Sequence, residues 1–511
     1  MRADDPEAAQ APILAGLIAA LSQTVGAVKR VDTQGAVVLL AGEEAYKLRR
    51  AVKLPFLDYS TLEKRRAASL REIEVNRDAA AEIYREVVAV TRSDGGFRLG
   101  GPGEAVEWAT RMRRFDESAT LDRLAESGDL DAGLLEALAK SIARMHARAP
   151  RREGDPALAS LRTWIGQNRE AFAAAPDLFD PAQAEALHAR ALAALSRCEP
   201  LLLRRAEQGW TRRCHGDLHL RNIARIEGLP VPFDAIEFDE AIATGDVLYD
   251  LAFTVMDLWE RDLREGANRL LSGYLAASDV AHLAGLAAFP LFLSLRAAIR
   301  AKVEAANLAH LEGEARERTR ESARRYFDFA LRFLEPRLAR LVAIGGLSGT
   351  GKSALAGGLA PDLGRPPGAV WLRSDVERKH LFGVDDTTPL PEGAYAPEVS
   401  RQIYQRLVAK ARLALAAGHS VIVDAVCAHG EERAALSSLA ADAGVDFKGI
   451  WLEAPLGLRR QRVESRVHDA SDADAAVVAR QRADPLADAG WREVDASGDK
   501  AATLAKARAI L

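Results

Sequence analysis

The sequence predicts two unlike folds in tandem: an α+β first part, with a small β-rich lobe ahead of a larger helical one, and an α/β second part built on a parallel sheet. Three observations carry this prediction. Short strand-like runs precede a long, mostly helical stretch that reaches about residue 205. Beyond residue 340, short apolar strands alternate with helical segments, the pattern of a parallel sheet covered by helices. A glycine turn, Gly346-Leu-Ser348-Gly349-Thr350-Gly351-Lys352-Ser353, joins the first of those strands to a helix.

The elements follow in order. Val37–Leu40, a turn at Gly42-Glu43-Glu44 and Ala45–Leu48 read as a β-hairpin. Thr61 to about Tyr84 reads as a long charged helix. Val87–Thr91 and Ala105–Arg111 are expected strands, with Gly95-Gly96 as a turn between them. Leu121–Arg205 is expected to be mostly helical. Asn222–Ile226, Glu227-Gly228 and Leu229–Asp234 form a second hairpin signal. The pattern from Asp246 to about Arg337 is helical again, its last part (Glu312–Arg337) a solvated connecting helix of alternating charge that Pro336 ends. Leu341–Ile344, Ala369–Leu372, Ser420–Val423 and Gly449–Leu452 are then the strands of the second part. The first module is expected over residues 1–335, with lobes at about 25–115 and 116–335, and the second over 338–511.

Composition narrows the classes. The chain has 511 residues, more than one ordinary core holds. A hydrophobic fraction of 48% with 28% charged residues is globular. The net charge of −4 gives no general attraction to nucleic acid or to an anionic membrane. Three widely spaced cysteines, Cys198, Cys214 and Cys427, argue against a disulfide framework or a structural zinc site and fit a reducing cytoplasm. Met1–Gln10 lacks a basic n-region, so no signal peptide is expected. The longest apolar stretch, Ala284–Leu295, contains Pro290 and is too short to span a bilayer.

Chemistry concentrates in two places. In His215-Gly-Asp217-Leu-His-Leu-Arg-Asn222, an aspartate can take the proton of an attacking hydroxyl, and an asparagine five residues on can ligate Mg²⁺ from the same loop. His215 would brace that loop, while His219 is an ordinary polar residue. A further acid must hold metal at a hairpin end. Asp234 is the first choice, with Glu237 and Asp239 as rivals.

This motif, the acid-tipped strand after it and Gly245-Asp246-…-Asp250-Leu-Ala resemble the aminoglycoside phosphotransferase-like family, relatives of protein kinases, over roughly residues 30–335. The resemblance implies that Lys47 contacts the ATP α/β-phosphates, that Glu72 is its helix partner with Glu74 as neighbour, and that Glu107–Phe115 forms the hinge beside adenine. The chain departs from the family at Ile236-Glu237-Phe238-Asp239, where an aspartate usually follows the isoleucine, and it has no obvious glycine-rich loop before Lys47 beyond Gly35.

In the second motif the glycines let backbone N–H groups face phosphate oxygens at a helix N-terminus. Lys352 would reach the β/γ-phosphates and Ser353 would ligate Mg²⁺. Asp424, at the end of Val421-Ile-Val, suits a Mg²⁺-water ligand. Asp375 can accept a substrate hydroxyl proton and Arg378 can hold an anionic group of that substrate. Arg462 and Arg466 lie on a helix that is either a lid over the transferring phosphoryl group or a solvated charged face. This part resembles P-loop small-molecule and polynucleotide kinases, including gluconate kinase and zeta-toxin kinases. Asp375-x-x-Arg378 is similar to the acceptor-activating pair of phage-type polynucleotide kinase. The two resemblances together imply a protein-kinase-like bilobal module followed by a P-loop NTPase module.

The reading is therefore a bifunctional ATP- and Mg²⁺-dependent phosphotransferase acting on hydroxyls of small, sugar-like acceptors, with no membrane partner. A second reading keeps only the P-loop module catalytic and makes the first a regulatory or substrate-binding pseudokinase. A third directs the P-loop module to nucleic-acid 5′-hydroxyl ends. Asp257 and Arg296 are expected either to line the first module's acceptor pocket, drawn from Asp246–Asn307, or to form a buried ion pair. The sequence assigns no oligomeric state.

Overall fold

The computed structural model describes residues 6–54, 57–93, 96–465, 470–486 and 490–511. The chain divides into two compact units: residues Met1–Ser160 with Ala206–Phe253, and Leu161–Arg205 with Thr254–Leu511.

The first unit holds a six-stranded antiparallel sheet of order β1-β2-β3-β8-β6-β7. Its strands are β1 (Val28–Asp32), β2 (Ala36–Ala41), β3 (Glu44–Arg49), β6 (Tyr84–Ser93), β7 (Gly96–Leu99) and β8 (Ala105–Arg113). A short ribbon, β4 (Lys53–Leu54) with β5 (Leu57–Asp58), follows β3. The expected first hairpin is β2–β3, with Lys47 opposite Val38. The predicted turn residue Gly95 lies outside the described residues, and Gly96 opens β7.

The charged helix ends eight residues before the expected Tyr84, running Leu62–Asn76 from a Thr61 N-cap whose hydroxyl accepts from Lys64 N–H. Asn76 is the last helical residue. Its Nδ2 donates to Glu72 O, and its Oδ1 accepts the Ala235 N–H across the unit, so the side chain serves tertiary structure. Tyr84, buried with Ala80 and Ile83 in one apolar cluster, then starts β6.

A helix that pattern reading did not single out, Pro6–Val25, covers the sheet. Leu14 and Leu17 are buried there against Val37, Leu39, Leu48 and Val90. Gln10 pins the helix by donating to Arg49 O at 2.6 Å and accepting the Ala51 N–H at 3.0 Å. This helix and Ala281–His310 are apolar and long enough to cross a membrane by composition, and the second is mostly buried in protein. Further along, β9 (Thr211–Arg213) pairs with β12 (Thr244–Asp246), and β10 (Ile223–Ile226) with β11 (Leu229–Pro232). The β10–β11 pair is the expected second hairpin.

The second unit carries a five-stranded parallel sheet of order β14-β15-β13-β16-β17. Its strands are β13 (Arg340–Gly345), β14 (Val370–Arg373), β15 (Val421–Asp424), β16 (Asp446–Glu453) and β17 (Trp491–Asp495). All but β17 were legible as apolar runs. β17 reads Trp-Arg-Glu-Val-Asp and buries Trp491 and Val494, a half-buried edge strand rather than a continuous apolar one. The core under the sheet includes Val342, Ile344, Leu355, Trp371, Ile422 and Ile450. The helical residues Leu161–Arg205 and Thr254–Phe333 belong to this same compact unit.

Candidate active sites

In the first unit, strand alternation points Lys47 and Arg49 to one side of β3, where the helix Leu62–Asn76 brings Glu72. Lys47 Nζ lies 2.6 Å from Glu72 Oε1 and 2.7 Å from Asp234 Oδ1. Burial disfavours the ammonium charge, but Asp234 and then Glu72 overcome it and raise the lysine pKa. Burial works against ionised Asp234 too, and Lys47 outweighs it, holding that carboxyl below its usual range. Glu72, fully buried, also forms an ion pair with Arg49 at 2.8 Å and accepts from the Thr110 hydroxyl at 2.8 Å.

The three rival acids separate clearly. Asp234 touches Lys47, keeps its side chain partly exposed, and adopts φ 63°, a left-handed turn that aims it back at the lysine. Glu237 is buried and held by Arg49 at 2.7 Å and the Tyr59 hydroxyl at 2.9 Å. Asp239 caps a short helix by accepting the Ala241 and Ile242 N–H groups. Arg49 and Tyr59 were not singled out from sequence. The signal was there in the i, i+2 spacing of two cations on one strand.

The catalytic-type loop follows β9. Gly216 takes φ 87°, and a Cβ there would meet Ala243 and Ile236 at 3.2 Å. His215 braces the loop as expected: Nε2 donates to Phe233 O at 2.8 Å, and Nδ1 accepts the Asp217 N–H at 3.3 Å. That pairing requires the neutral ring, and burial lowers its pKa despite Asp250 and Asp217. Asn222 Nδ2 donates to Asp217 Oδ2 at 3.1 Å, bringing the two predicted residues together. His219 Nε2 lies 3.4 Å from the same carboxylate, so its neighbourhood is more specific than its sequence context implied. Asp250 accepts the His215 and Gly216 N–H groups and meets His146 Nε2 at 3.1 Å. His146, Cys214 and Asp250 are close enough to hold a metal. However, the Cys214 thiol donates to Arg212 O and Gly245 O, as a neutral thiol does.

Asp217, Asn222 and Asp234 offer only oxygen atoms to a metal, the donor set Mg²⁺ takes. Asp257 pairs with Arg261 at 3.1 Å, and Arg296 is buried in the helix Phe289–Asn307.

In the second unit, Gly346, Gly349 and Gly351 have φ of 137°, 86° and 97°. A Cβ on Gly349 would sit 2.5 Å from Arg459 O, and one on Gly346 2.7 Å from Leu452 O. The turn is therefore built for glycine. Ser348 N–H donates to Gln481 Oε1 at 2.7 Å, an oxygen standing where an anion's oxygen could stand. Thr350 Oγ1 donates to Leu347 O at 2.9 Å, and Lys352 Nζ lies 3.4 Å from the same carbonyl. Ser353 lies in the first turn of the helix Lys352–Leu359, and Asp424 ends β15; both line the same cleft. Burial raises the Asp424 pKa, opposed by Arg373 and Lys352. A hydroxyl and a strand-end carboxylate in one cleft again offer oxygen atoms of the kind Mg²⁺ takes.

Asp375 and Arg378 lie on the helix Ser374–Leu381 that follows β14. They line the same cleft as the glycine turn, about 2140 Å³ in volume. Arg378 is buried. It donates to Ala394 O at 2.6 Å and Ser400 Oγ at 3.4 Å, stacks 4.8 Å from the Tyr395 ring, and ion-pairs with no described carboxylate. Arg462 also lines the cleft, but its guanidinium is held by Ala496 O at 2.9 Å, Gly498 O at 3.1 Å and Thr350 O at 3.5 Å. Arg466 lies outside the described residues.

A lysine–glutamate pair beside an Asp/Asn loop, followed by a glycine turn with its strand-end acid, defines the chain as an ATP-dependent phosphotransferase with two kinase-type modules. Comparison with known proteins agrees. Residues 97–289 match the model of the phosphotransferase enzyme family, and residues 341–485 that of an AAA domain. Uncharacterized protein Rv2004c of Mycobacterium tuberculosis is 30% identical over 488 residues, covering 93% of this chain and 94% of its own. Uncharacterized protein Mb2027c of Mycobacterium bovis matches to the same extent. The chain belongs to the same family as these mycobacterial proteins. Among solved structures, a choline/ethanolamine kinase family protein from Mesorhizobium loti aligns over 64% of this chain and 98% of its own, at 14% identity and TM-score 0.38. A gluconokinase from Sinorhizobium meliloti aligns over 34% and 92%, at 19% identity and TM-score 0.24.

Proposed function

We propose that the chain is a bifunctional, Mg²⁺-dependent cytoplasmic kinase that transfers the ATP γ-phosphoryl group to hydroxyls of small, sugar-like acceptors at two sites. The observation that carries this reading is the joint placement of Asp217, Asn222, Lys47, Glu72 and Asp234 in one unit, while a second full phosphate-binding turn stands in the other.

At the first site Asp217 takes the acceptor's hydroxyl proton as its oxygen attacks the γ-phosphorus; the new O–P bond forms and ADP leaves. Lys47, fixed by Glu72, neutralises nucleotide phosphate charge. When bound, Mg²⁺ supplies further neutralisation, with Asn222 and Asp234 as its holders. Glu237, committed to Arg49 and Tyr59, acts as a structural acid.

At the second site the N–H groups of residues 348–353 face the phosphates, Lys352 supplies charge, and Ser353 with Asp424 holds the metal. Asp375 is the acceptor-side acid. The buried Arg378, which ion-pairs with no described carboxylate, supports an acceptor that bears an anionic group, because a buried cation favours an incoming anion. Arg462, already tied to three carbonyls, positions the turn through Thr350.

ATP turnover with a panel of sugar and sugar-acid acceptors tests the reading in Asp217→Ala and Lys352→Ala separately. Each substitution is expected to remove turnover with a different set of acceptors. If Asp217→Ala changes nothing while Lys352→Ala removes all turnover, only the P-loop module is catalytic. If neither alters turnover, the proposal fails. Phosphate appearing on 5′-hydroxyl oligonucleotides rather than on small acceptors would move the second site to nucleic-acid ends.

A further inference from the structure

Among the described residues, the strand β14 is one edge of the five-stranded sheet, paired only with β15. An unpaired edge leaves backbone N–H and C=O groups that need partners. Here they find them on the helix Arg264–Ala277, which the sequence groups with the first module but which packs in the second unit. Asn268 Nδ2 donates to Ala369 O at 2.8 Å and Pro367 O at 3.2 Å. Trp371 N–H donates to Ser272 Oγ at 3.1 Å. The Arg269 guanidinium lies 5.6 Å from the Trp371 ring centroid. Asn268 and Ser272 are both buried.

The spacing is complementary. One helical step of four residues rises about 6 Å, and the two residues from Ala369 to Trp371 span about 6.6 Å of strand. Two buried polar side chains one turn apart thus meet successive outward-facing backbone groups of the edge strand. A second tie runs alongside: the buried His419, next to the start of β15, lies with Nε2 3.1 Å from Leu286 O.

The edge strand ends at Arg373, and Asp375 and Arg378 follow in the first turns of the next helix. We propose that Asn268 and Ser272 are positioning residues for the acceptor side of the P-loop site: they fix β14, and so the placement of Asp375 and Arg378 relative to the glycine turn. This rests on the reading of Asp375 as the acceptor-side acid. It makes the helix Arg264–Ala277 a working part of the P-loop kinase, which gives the tandem arrangement a mechanical reason.

The test uses the full chain with Asp217→Ala and Lys47→Met, so that the first site neither turns over nor binds nucleotide. Ser272→Ala, Asn268→Ala and Asp375→Asn are compared in Mg-ATP hydrolysis, where water replaces the acceptor, in mant-ATP binding, and in amide hydrogen exchange. A displacement of about 1 Å at a reacting group can cost on the order of 100-fold. Ser272→Ala and Asn268→Ala should lower turnover roughly 10- to 100-fold, leave mant-ATP affinity within about twofold, and speed exchange in 369–378 but not in 341–359. Ser272→Thr, which keeps the hydroxyl, should restore both readouts.

Unchanged exchange in 369–378 would overturn the proposal, as would acceleration spread equally over both segments, which marks general destabilisation. Unchanged turnover in Ser272→Ala with activity lost in Asp375→Asn would also overturn it. If Asp375→Asn has no effect, the acceptor-acid reading fails instead, and exchange alone decides the mechanical link. Should Asn268→Ala not fold, Ser272→Ala, which removes a single hydrogen bond, decides.

Discussion

Glu72→Gln isolates the buried charge network of the first site. Glu72 is fully buried and receives Lys47 at 2.6 Å, Arg49 at 2.8 Å and the Thr110 hydroxyl at 2.8 Å. The substitution keeps shape and removes charge, so two charge-assisted contacts become neutral ones. Each is worth about 1.5–3 kcal/mol, and removing one partner of a buried ion pair costs about 3–5 kcal/mol. Lys47 retains Asp234 and Arg49 retains Glu237, which places the expected loss near the lower end, about 3 kcal/mol. The loss should appear in one unit only. Hydrogen exchange on the full chain should accelerate on the order of 100-fold for β3 and the helix Leu62–Asn76, since each 1.4 kcal/mol is a factor of ten. The parallel sheet of the second unit should be unaffected. Lys47, freed toward Asp234, should also bind mant-ATP more weakly at the first site. Unchanged exchange in β3 with unchanged first-site affinity would refute the view that Glu72 sets the lysine's position.

Two further expectations follow from the same geometry. Asp234→Asn should raise the Mg²⁺ concentration needed for half-maximal first-site turnover by roughly tenfold or more, while Glu237→Gln should leave it unaltered and lower stability instead; equal Mg²⁺ shifts in both would sink the assignment. His419 is buried, and burial with the nearby Arg365 pushes its pKa down to about 3 from 6.5. The unfolded chain binds this proton first as pH falls, so the stability is fully present above pH 6.5 and is lost progressively down to about pH 3. Between pH 6.5 and 4.5 the wild type should lose about 2.3 kcal/mol more than His419→Asn in urea unfolding followed at Trp fluorescence. Parallel pH curves for the two proteins would show that His419 does not carry this dependence.

Much of the architecture was legible because it rests on local chemistry. The glycine turn declares itself by residues that only left-handed backbone or close carbonyl approach requires, as Gly349 and Gly346 show. The strands β13, β14, β15 and β16 are apolar runs because both faces of a parallel sheet are covered. The proximity of Lys47, Glu72 and Asp234 was reachable only through a family resemblance, since 25 and 187 residues separate the lysine from its partners. What periodicity could not reach was tertiary. The charged helix stops at Asn76, whose side chain bonds Ala235 far along the chain, a contact no local pattern shows. Sequence left Glu237 a rival to Asp234 and could not show that Glu237 meets Arg49 and Tyr59. Nothing local announced that Asn268 and Ser272 would serve a strand a hundred residues away.

The most direct measurement is the number of mant-ATP molecules the full chain binds with Mg²⁺ present, by calorimetric titration of wild type, Lys47→Met and Lys352→Ala. Two independent occupancies for the wild type, one for each single substitution and none for the pair are expected from the two phosphate-facing lysines. One occupancy in the wild type, or loss of all binding on replacing either lysine alone, would contradict a chain with two separate nucleotide pockets.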